Sequence, residues 1–281
     1  MEQLPALPQP SGPVRILQVT DLHHFGLAEK HTVFTGPRVT VPIGQYTDGD
    51  ELLPEISPGN YSIGRGIAVI DKLLTIVQPA LVVFSGDIID GRMCEDFSRA
   101  MSEVVAPCVQ RGIPWAFTPG NHDDDSPSGW AREDLLQIFQ LQGCATPSAR
   151  SFNHTYLLGK ALRLWFFDSH GSAKTSKDGV TKETVAAYEV LSSQPEMVAE
   201  QRSGVVGLAY FHIPLREYGE SDSIVVAGHL DTLADMRPQG YTGRMIGCPR
   251  SNTGLYNAMR RQRNVWAVSV VSGSVNVFVS W

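Results

Sequence analysis

The chain has 281 residues, 42% of them hydrophobic, so it is long enough to bury the core of one large α/β domain. Its formal net charge of −6, without a basic stripe interleaved with aromatic residues, argues against nucleic-acid binding as the main function. Its four cysteines show no CxxC spacing, which argues against a zinc knuckle or a dense disulfide framework.

The first thirteen residues, MEQLPALPQPSGP, contain four prolines and an acidic residue where a secretory signal would carry positive charge and an apolar run. We interpret residues 1–12 as a flexible lead-in and residues 13–281 as one domain, and we expect a cytoplasmic protein. The apolar tail from Val265 to Trp281 is shorter than a membrane span and is interrupted by polar residues and by Gly273. We therefore predict that this tail is strand.

The first half of the chain alternates short apolar runs with amphipathic segments. Residues 14–20 predict a buried strand that ends in the polar sequence DLHH. The stretch from Thr32 to Gly59 lacks sustained periodicity and predicts a long surface insertion. Apolar residues at helical spacing then predict a helix between Ser62 and Pro79, followed at once by a strand over 81–85.

The same order of elements repeats further along the chain. A helical face from Phe97 to Cys108 precedes a strand over 114–118, which ends in the sequence PGNHDDD. The second half is predicted to add helices near 132–141, 183–192 and 253–262, and strands near 152–158, 162–168, 204–211, 224–227 and 265–271. Strands that alternate with helices are typical of parallel βαβ units, whose ligand sites lie beyond the carboxyl ends of the strands. The fold class predicted is α/β.

Oxygen and imidazole side chains follow the first three predicted strands. They are Asp21 and His23, then Asp87, and then Asn121, His122 and Asp123. Zn²⁺, Mn²⁺ and iron ions bind well to such a mixture, whereas a thiolate set would have indicated a structural zinc. Two ions about 3.5–4 Å apart can stabilise both the attacking and the leaving oxygen of an in-line displacement at phosphorus. The pattern therefore indicates metal-dependent cleavage of phosphate esters.

The motifs DLH, GDIID, GNHD and FH occur in the order used by the calcineurin-like metallophosphoesterases, which this sequence resembles. Within that family it is most similar to the fungal and plant proteins related to purple acid phosphatases. The segments that carry this likeness are QVTDLHHFG, VVFSGDIIDG, GIPWAFTPGNHD, LWFFDS, GLAYFHIPL and NTGLYNAM. The resemblance spans roughly residues 14–278 and implies a sandwich of two mixed sheets flanked by helices.

The resemblance also implies a set of metal ligands. Asp21 and His23 would bind the first metal, Asp87 would bridge the two, and Asn121 and His212 would bind the second. The cofactors implied are two divalent or trivalent ions, namely iron, manganese or zinc.

The residues implied to act on the substrate follow the third strand. His122 would lie beside the phosphate with Asn121 and would protonate the leaving oxygen, a role worth roughly 10²–10⁴-fold in rate. Asp123 would orient His122, because a carboxylate that accepts from one ring nitrogen fixes which nitrogen faces the substrate. The partner implied is a phosphorylated substrate, either a phosphoprotein or a small phosphoester.

The C-terminal sequence departs from the family pattern. Relatives carry a GHxH element whose two histidines complete the metal shells, but this chain reads SGSVNVFVSW and has no histidine after His229. In an alignment without a gap, Ser274 and Asn276 replace the two imidazoles; in another alignment, both histidines are deleted. Relatives also continue with further strands, so we expect a truncated C-terminal part with one edge of the second sheet absent or unpaired.

Several residues have an alternative interpretation. His24 could replace His23 if the motif slips by one residue, and His212 could be a histidine buried in the core. His229 lies in a GH pair, but it precedes the segment in which the missing element is expected. Asp90 and Asp124 are interpreted as loop acids that support the site.

Two functions from different classes follow from the sequence. The first is hydrolysis of phosphomonoesters or phosphodiesters at a binuclear metal centre. The second is a catalytically impaired or truncated product that keeps the fold and acts, if at all, by binding. A hydrolase without metal is a distant third, since no GxSxG or comparable nucleophile motif occurs.

Overall fold

The computed structural model describes most of the chain outside two long segments. The described residues are 1–10, 14–26, 65–126, 129–171, 179–215, 217, 249, 251–272 and 275–280. The insertion predicted from Thr32 to Gly59, the start of the helix predicted between Ser62 and Pro79 and the strand predicted near 224–227 lie outside these residues.

The described residues form nine strands, five α-helices and one 3-10 helix, in a largely alternating order. In chain order they are β1 Glu2–Gln3, β2 Ile16–Val19, α1 Arg65–Val77, β3 Leu81–Ser85, α2 Phe97–Gln110, β4 Trp115–Thr118, the 3-10 helix Arg132–Gln140, β5 His154–Leu158, β6 Leu162–Phe166, α3 Lys182–Ser192, α4 Pro195–Arg202, β7 Val206–Tyr210, α5 Leu255–Gln262, β8 Ala267–Ser272 and β9 Val275–Ser280. The predicted α/β class is confirmed.

One sheet is parallel and has the order β2, β3, β4. Every side chain of the central strand β3 is fully buried, which explains why its sequence LVVFS is apolar almost throughout. The crossovers contain α1 and α2, and Asp96 caps the start of α2 by accepting from the backbone N–H of Arg99 at 2.9 Å. The carboxyl ends of all three strands therefore lie at one edge, as predicted.

The second sheet is mixed and has the order β1, β5, β6, β7, β8, β9. Its β5–β6 and β8–β9 pairs are antiparallel, and the other neighbours are parallel. Strand β9 pairs with β8 from Ala267 opposite Ser280 to Ser272 opposite Val275. The tail predicted as strand therefore forms two strands, and β9 is the last in the sheet order, with β8 as its only partner among the described residues.

The N-terminal residues do not form the flexible lead-in that the prolines suggested. Strand β1 pairs with β5, and the backbone N–H groups of Leu4 and Leu7 continue the pairing by donating to the carbonyl oxygens of Thr155 and Leu157, each at 2.8 Å. Leu4 is buried in the core. A proline-rich segment can still line the edge of a sheet, because its other residues supply the donors.

Two further helical segments differ from the prediction. The helix expected near 132–141 is a 3-10 helix. The helix α4 was not predicted, because its sequence PEMVAEQR buries only Met197 and so has no apolar stripe. None of the described helices combines the length and the apolar character needed to cross a membrane.

The imidazole of His154 lies in the aromatic core beside β6. Its ring stacks on those of Tyr156 and Phe166, with centroids 6.3 and 4.8 Å apart. Nδ1 lies 3.0 Å from the carbonyl oxygen of Ser151 and donates to it, whereas Nε2 has no hydrogen-bond partner among the described residues. Burial lowers the pKa of His154 from 6.5 to about 4. The folded protein therefore holds this ring neutral.

We expect His154 to make the fold sensitive to acid. Between pH 6.5 and pH 4 the unfolded chain binds a proton at His154 that the folded chain excludes. The free energy of unfolding is therefore highest above pH 6.5, where the ring is neutral in both states, and it decreases as the pH falls toward 4. His154→Phe keeps the stacking and removes the titration. Denaturant unfolding at pH 7 and pH 4.5 should show that the wild type loses about 2 kcal/mol more than the variant. Equal losses in both proteins would contradict this assignment.

Candidate metal centre

The loops that leave β2 and β3 run side by side beyond the ends of the strands. The backbone N–H of Asp21 donates to the carbonyl oxygen of Gly86 at 3.1 Å, and that of His23 donates to the carbonyl oxygen of Asp87 at 2.9 Å. The sheet pairing thus continues into the loops. It brings Asp21 and His23 next to Asp87, as the parallel arrangement predicted.

Three of the residues at this edge have an uncommon backbone conformation. The φ angles of Asp21, His23 and Asp87 are 50°, 49° and 51°, in the left-handed region that residues other than glycine rarely adopt. Such strain costs on the order of 1 kcal/mol per residue and is concentrated at functional sites in proteins. Its presence at three predicted metal ligands supports a functional role for this edge.

Two glycines allow the loops to approach closely. A Cβ atom on Gly86, whose φ is 97°, would lie 2.5 Å from the ring of His212. A Cβ atom on Gly120 would lie 2.2 Å from Oδ1 of Asp87. Both contacts are too short for any larger residue. The glycines of the GDIID and GNHD motifs are therefore required for the loops to meet around Asp87.

Asp21, Asp87 and His212 form the cluster best suited to a cation. One potential ligand atom from each lies within 4.8 Å of the other two. Nε2 of His212 is 3.1 Å from Oδ2 of Asp87, while its Nδ1 donates to the carbonyl oxygen of Ser85 at 3.1 Å. A carbonyl that accepts from one ring nitrogen fixes the tautomer and leaves the other to face the cluster, as is usual for metal-binding histidines.

The electrostatics of this cluster favour a bound cation. Burial raises the pKa of the Asp21 carboxyl, and the neighbouring Asp87 charge adds to that effect. Burial opposes ionisation of Asp87 as well, but its hydrogen bond and ion pair with His212 hold its pKa below the usual value. For His212, burial is outweighed by Asp87, so its pKa is raised. The buried carboxylate of Asp87 and the half-buried carboxylate of Asp21, beside one imidazole, fit a divalent ion, which would compensate their charge.

His23 lies at the margin of the cluster, and the structure separates it from His24. Nε2 of His23 is 3.8 Å from Oδ2 of Asp87, and Nδ1 is 3.6 Å from Oδ2 of Asp90, which raises the pKa of His23. Nε2 of His24 instead lies 2.8 Å from Oε2 of Glu103 on α2. Of the two histidines in DLHH, His23 is therefore the one beside the candidate ligands.

The loop after β4 places His122 beside the cluster. Its backbone N–H donates to Oδ1 of Asp87 at 2.8 Å, and its ring centroid is 5.4 Å from that of His23. Asn121 is half-buried in the same loop, and its Cβ would lie 3.3 Å from a Cβ built on Gly171. The structure thus attaches His122 to the cluster through its backbone and places Asn121 next to the turn at Gly171.

The contact expected between Asp123 and His122 is made by another carboxylate. Nδ1 of His122 lies 2.8 Å from Oδ2 of Asp125. Asp123 is fully buried and accepts from the backbone N–H groups of Asp87, Ile88, Ile89 and Gly120 at 2.6 to 3.0 Å. Burial and the Asp87 charge raise the pKa of Asp123 to about 6, so it is mostly ionised at neutral pH. Asp123 therefore holds the loops after β3 and β4 together, because its carboxylate accepts the hydrogen bonds that four buried backbone N–H groups would otherwise make to water.

Strand β9 occupies the positions in the sequence at which the GHxH element was expected. Asn276 is paired with Val271 in the β8–β9 ladder. Ser274 and His229 lie outside the described residues. The described part of the chain thus brings three histidine side chains to the site edge: His23, His122 and His212.

Comparison with known proteins gives a family for this arrangement. The model of the calcineurin-like phosphoesterases matches residues 14–242. Phosphatase DCR2 of Saccharomyces cerevisiae is 27% identical over 191 residues, which cover 62% of this chain and 33% of that protein. Probable inactive purple acid phosphatase 14 of Arabidopsis thaliana is 25% identical over 240 residues, which cover 74% of this chain and 55% of that protein. The chain thus spans between a third and about half of these relatives.

A solved structure shows a similar fold. A dimetal phosphatase from Danio rerio superposes with a TM-score of 0.53 at 12% identity, covering 90% of this chain and 79% of that chain. At this level of identity, the likeness concerns the fold. It confirms the predicted arrangement of two sheets flanked by helices.

Proposed function

This chain belongs to the calcineurin-like phosphoesterase family, and from that premise we propose that it hydrolyses phosphate esters with metal ions held at the edge of the parallel sheet. Asp21, Asp87 and His212 would hold the ions, with His23 and Asn121 as further ligands. Bound ions would act as Lewis acids on the phosphoryl oxygens. The substrate would be a phosphomonoester or phosphodiester, on a protein or a small molecule.

The observation that carries this proposal is the meeting of Asp21, Asp87 and His212. These residues come from three loops that are far apart in sequence, yet their ligand atoms lie within 4.8 Å of one another. The backbone strain at Asp21 and Asp87 supports the same conclusion. A protein that needed only a stable fold would gain nothing from a buried carboxylate this close to a second, half-buried one.

Among the side chains, His122 is the one that would take part directly in the reaction. Asp125 accepts from Nδ1 of His122 at 2.8 Å, so Nε2 is the nitrogen that would donate a proton to the leaving oxygen. The ring is about one-third exposed, which suits a group that meets substrate. The backbone bond from His122 to Asp87 would hold this acid at a fixed position relative to the metal ligands.

The second candidate function is binding of metal or phosphate without hydrolysis. The observation that favours it is the sequence after His229, which supplies no imidazole where the family pattern has two. A neutral amide or a water binds zinc and iron less well than imidazole does. A centre with fewer ligands could retain an ion and lose turnover.

One experiment separates the two candidates. The purified chain is loaded with Mn²⁺, Zn²⁺ or Fe²⁺, its metal content is measured by mass spectrometry, and hydrolysis of an aryl phosphate is followed with and without chelator. We expect bound metal and chelator-sensitive hydrolysis. Bound metal without hydrolysis would favour the binding function, and the absence of both would reject the proposed site.

A further inference from the structure

Arg132 is a buried arginine at the start of the 3-10 helix, and all of its donors are used. Nε lies 3.1 and 3.0 Å from the two carboxylate oxygens of Asp168, and Nη2 lies 2.7 Å from Oδ1 of the same residue. Nη1 donates to Oδ1 of Asp124 at 2.8 Å and to the carbonyl oxygen of Gly120 at 2.9 Å. Nη2 also donates to the carbonyl oxygen of Pro119 at 3.3 Å.

These partners lie on both sides of the residues proposed to act on the substrate. Pro119 and Gly120 directly precede Asn121, and Asp124 follows His122 by two residues. A single guanidinium therefore holds both ends of the short loop that presents Asn121 and His122. It also stabilises the buried carboxylate of Asp168, since its charge holds the pKa of Asp168 below the usual value even though burial opposes this.

The other end of the network reaches His212. Asp168 accepts from the backbone N–H of His170 at 2.9 Å, which fixes the turn that contains Ser169. Oγ of Ser169 in turn accepts from the backbone N–H groups of His212 and Ile213 at 3.2 and 2.9 Å. Arg132 is thus linked to the backbone of the proposed ligand His212 through Asp168 and the adjacent Ser169.

We propose that Arg132 is a positioning residue that fixes the loop of Asn121 and His122 relative to the loop of His212. The proposal rests on the proposed function for its catalytic consequence, but the coupling of the two loops is a property of this chain with or without metal. A lysine cannot replace Arg132, because its three donors on one nitrogen cannot span two carboxylates and two carbonyls.

The experiment uses Arg132→Lys with Arg163→Lys as its matched control. Arg163 is equally buried and pairs with both oxygens of Glu200 at 2.6 Å, but its partners belong to β5 and α4 and not to the site loops. Both variants keep the charge and lose the planar fork. Arg163→Lys thus reports the effect of losing a buried guanidinium away from the site loops, so that an effect specific to the site stands out.

The first readout is hydrogen exchange of the metal-free full chain, resolved to segments. Arg132→Lys should speed exchange about tenfold in residues 119–124 and also in 168–171 and 212–213, whereas Arg163→Lys should not. Faster exchange in only one of these loops, or the same change in both variants, would overturn the proposal.

The second readout concerns the loaded protein. With cobalt as the probe, Arg132→Lys should alter the visible spectrum of the bound ion and lower kcat roughly 10- to 100-fold at similar KM, and Arg163→Lys should leave both unchanged. An unchanged spectrum and kcat in Arg132→Lys would overturn the positioning role. If the wild type binds no cobalt, the proposed function fails while the exchange experiment still decides the coupling of the loops.

Discussion

Replacing Asp87 with asparagine should abolish hydrolysis and weaken metal binding by more than the roughly 10- to 100-fold that loss of a supporting residue around a metal costs. Asp87 is the residue on which the site converges. Its carboxylate lies 3.1 Å from Nε2 of His212 and 3.8 Å from Nε2 of His23, and it accepts from the backbone of His122. Asparagine keeps the shape and one acceptor but removes the charge that would bridge two cations.

Metal titration followed by thermal unfolding measures this effect directly. A ligand that binds only the folded state raises Tm, so the wild type should gain Tm with added Mn²⁺ or Zn²⁺ while Asp87→Asn should gain little. Glu196→Gln is the matched control, because it removes one exposed carboxylate from the first turn of α4. An Asp87→Asn protein with wild-type Tm gain and wild-type turnover would remove Asp87 from the centre.

Replacing His122 with alanine should lower kcat by roughly 10²–10⁴-fold and leave the metal content unchanged. The two effects separate because His122 contacts Asp87 through its backbone N–H, which alanine retains. Only the imidazole and its bond to Asp125 are lost. Steady-state kinetics and metal analysis on the same preparation test both parts.

Asp125→Asn provides a graded comparison for His122. It keeps the imidazole but removes the carboxylate that accepts from Nδ1 and orients the ring, so kcat should fall less than in His122→Ala. Loss of metal in His122→Ala would show that its ring is a ligand. Equal kcat in the wild type and His122→Ala would show that the ring takes no part in the reaction.

The sequence predicted the parts of the site that depend on strand ends. Each of the three parallel strands is a short apolar run followed at once by a polar cluster, and the carboxyl ends of parallel strands must share an edge. Asp21 and Asp87 were therefore expected together, and they are together. His212 follows an apolar run by itself, so only the resemblance of its FHIPL segment distinguished it from a core histidine.

The supporting residues could not be predicted in this way, because their contacts are not local. Arg132 and Asp168 are 36 residues apart and are both charged, which in a sequence indicates an exposed position. Their partnership appears only when the two sheets face each other. The choice of Asp125 over Asp123 as the partner of His122 likewise depends on how the loop turns, which a run of three aspartates does not specify.

Two short elements, β1 and α4, were not predicted from the sequence, and the reason is the same for both. Strand β1 has two residues and exists because β5 offers an edge with which to pair. Helix α4 has a mostly polar surface, although Pro195 at its first position was a usable start signal. In both cases tertiary contacts decide the structure and local periodicity is weak.

The most direct test of the metal centre is a crystal structure of the chain grown with Mn²⁺ or Zn²⁺, with the ion located by its anomalous scattering. We expect anomalous peaks for the bound ions about 2.0–2.2 Å from the side-chain ligand atoms of Asp21, Asp87 and His212, with Asp87 close to more than one ion where two are bound. A fully occupied ion elsewhere, or an empty cluster at metal concentrations that support hydrolysis, would contradict this expectation.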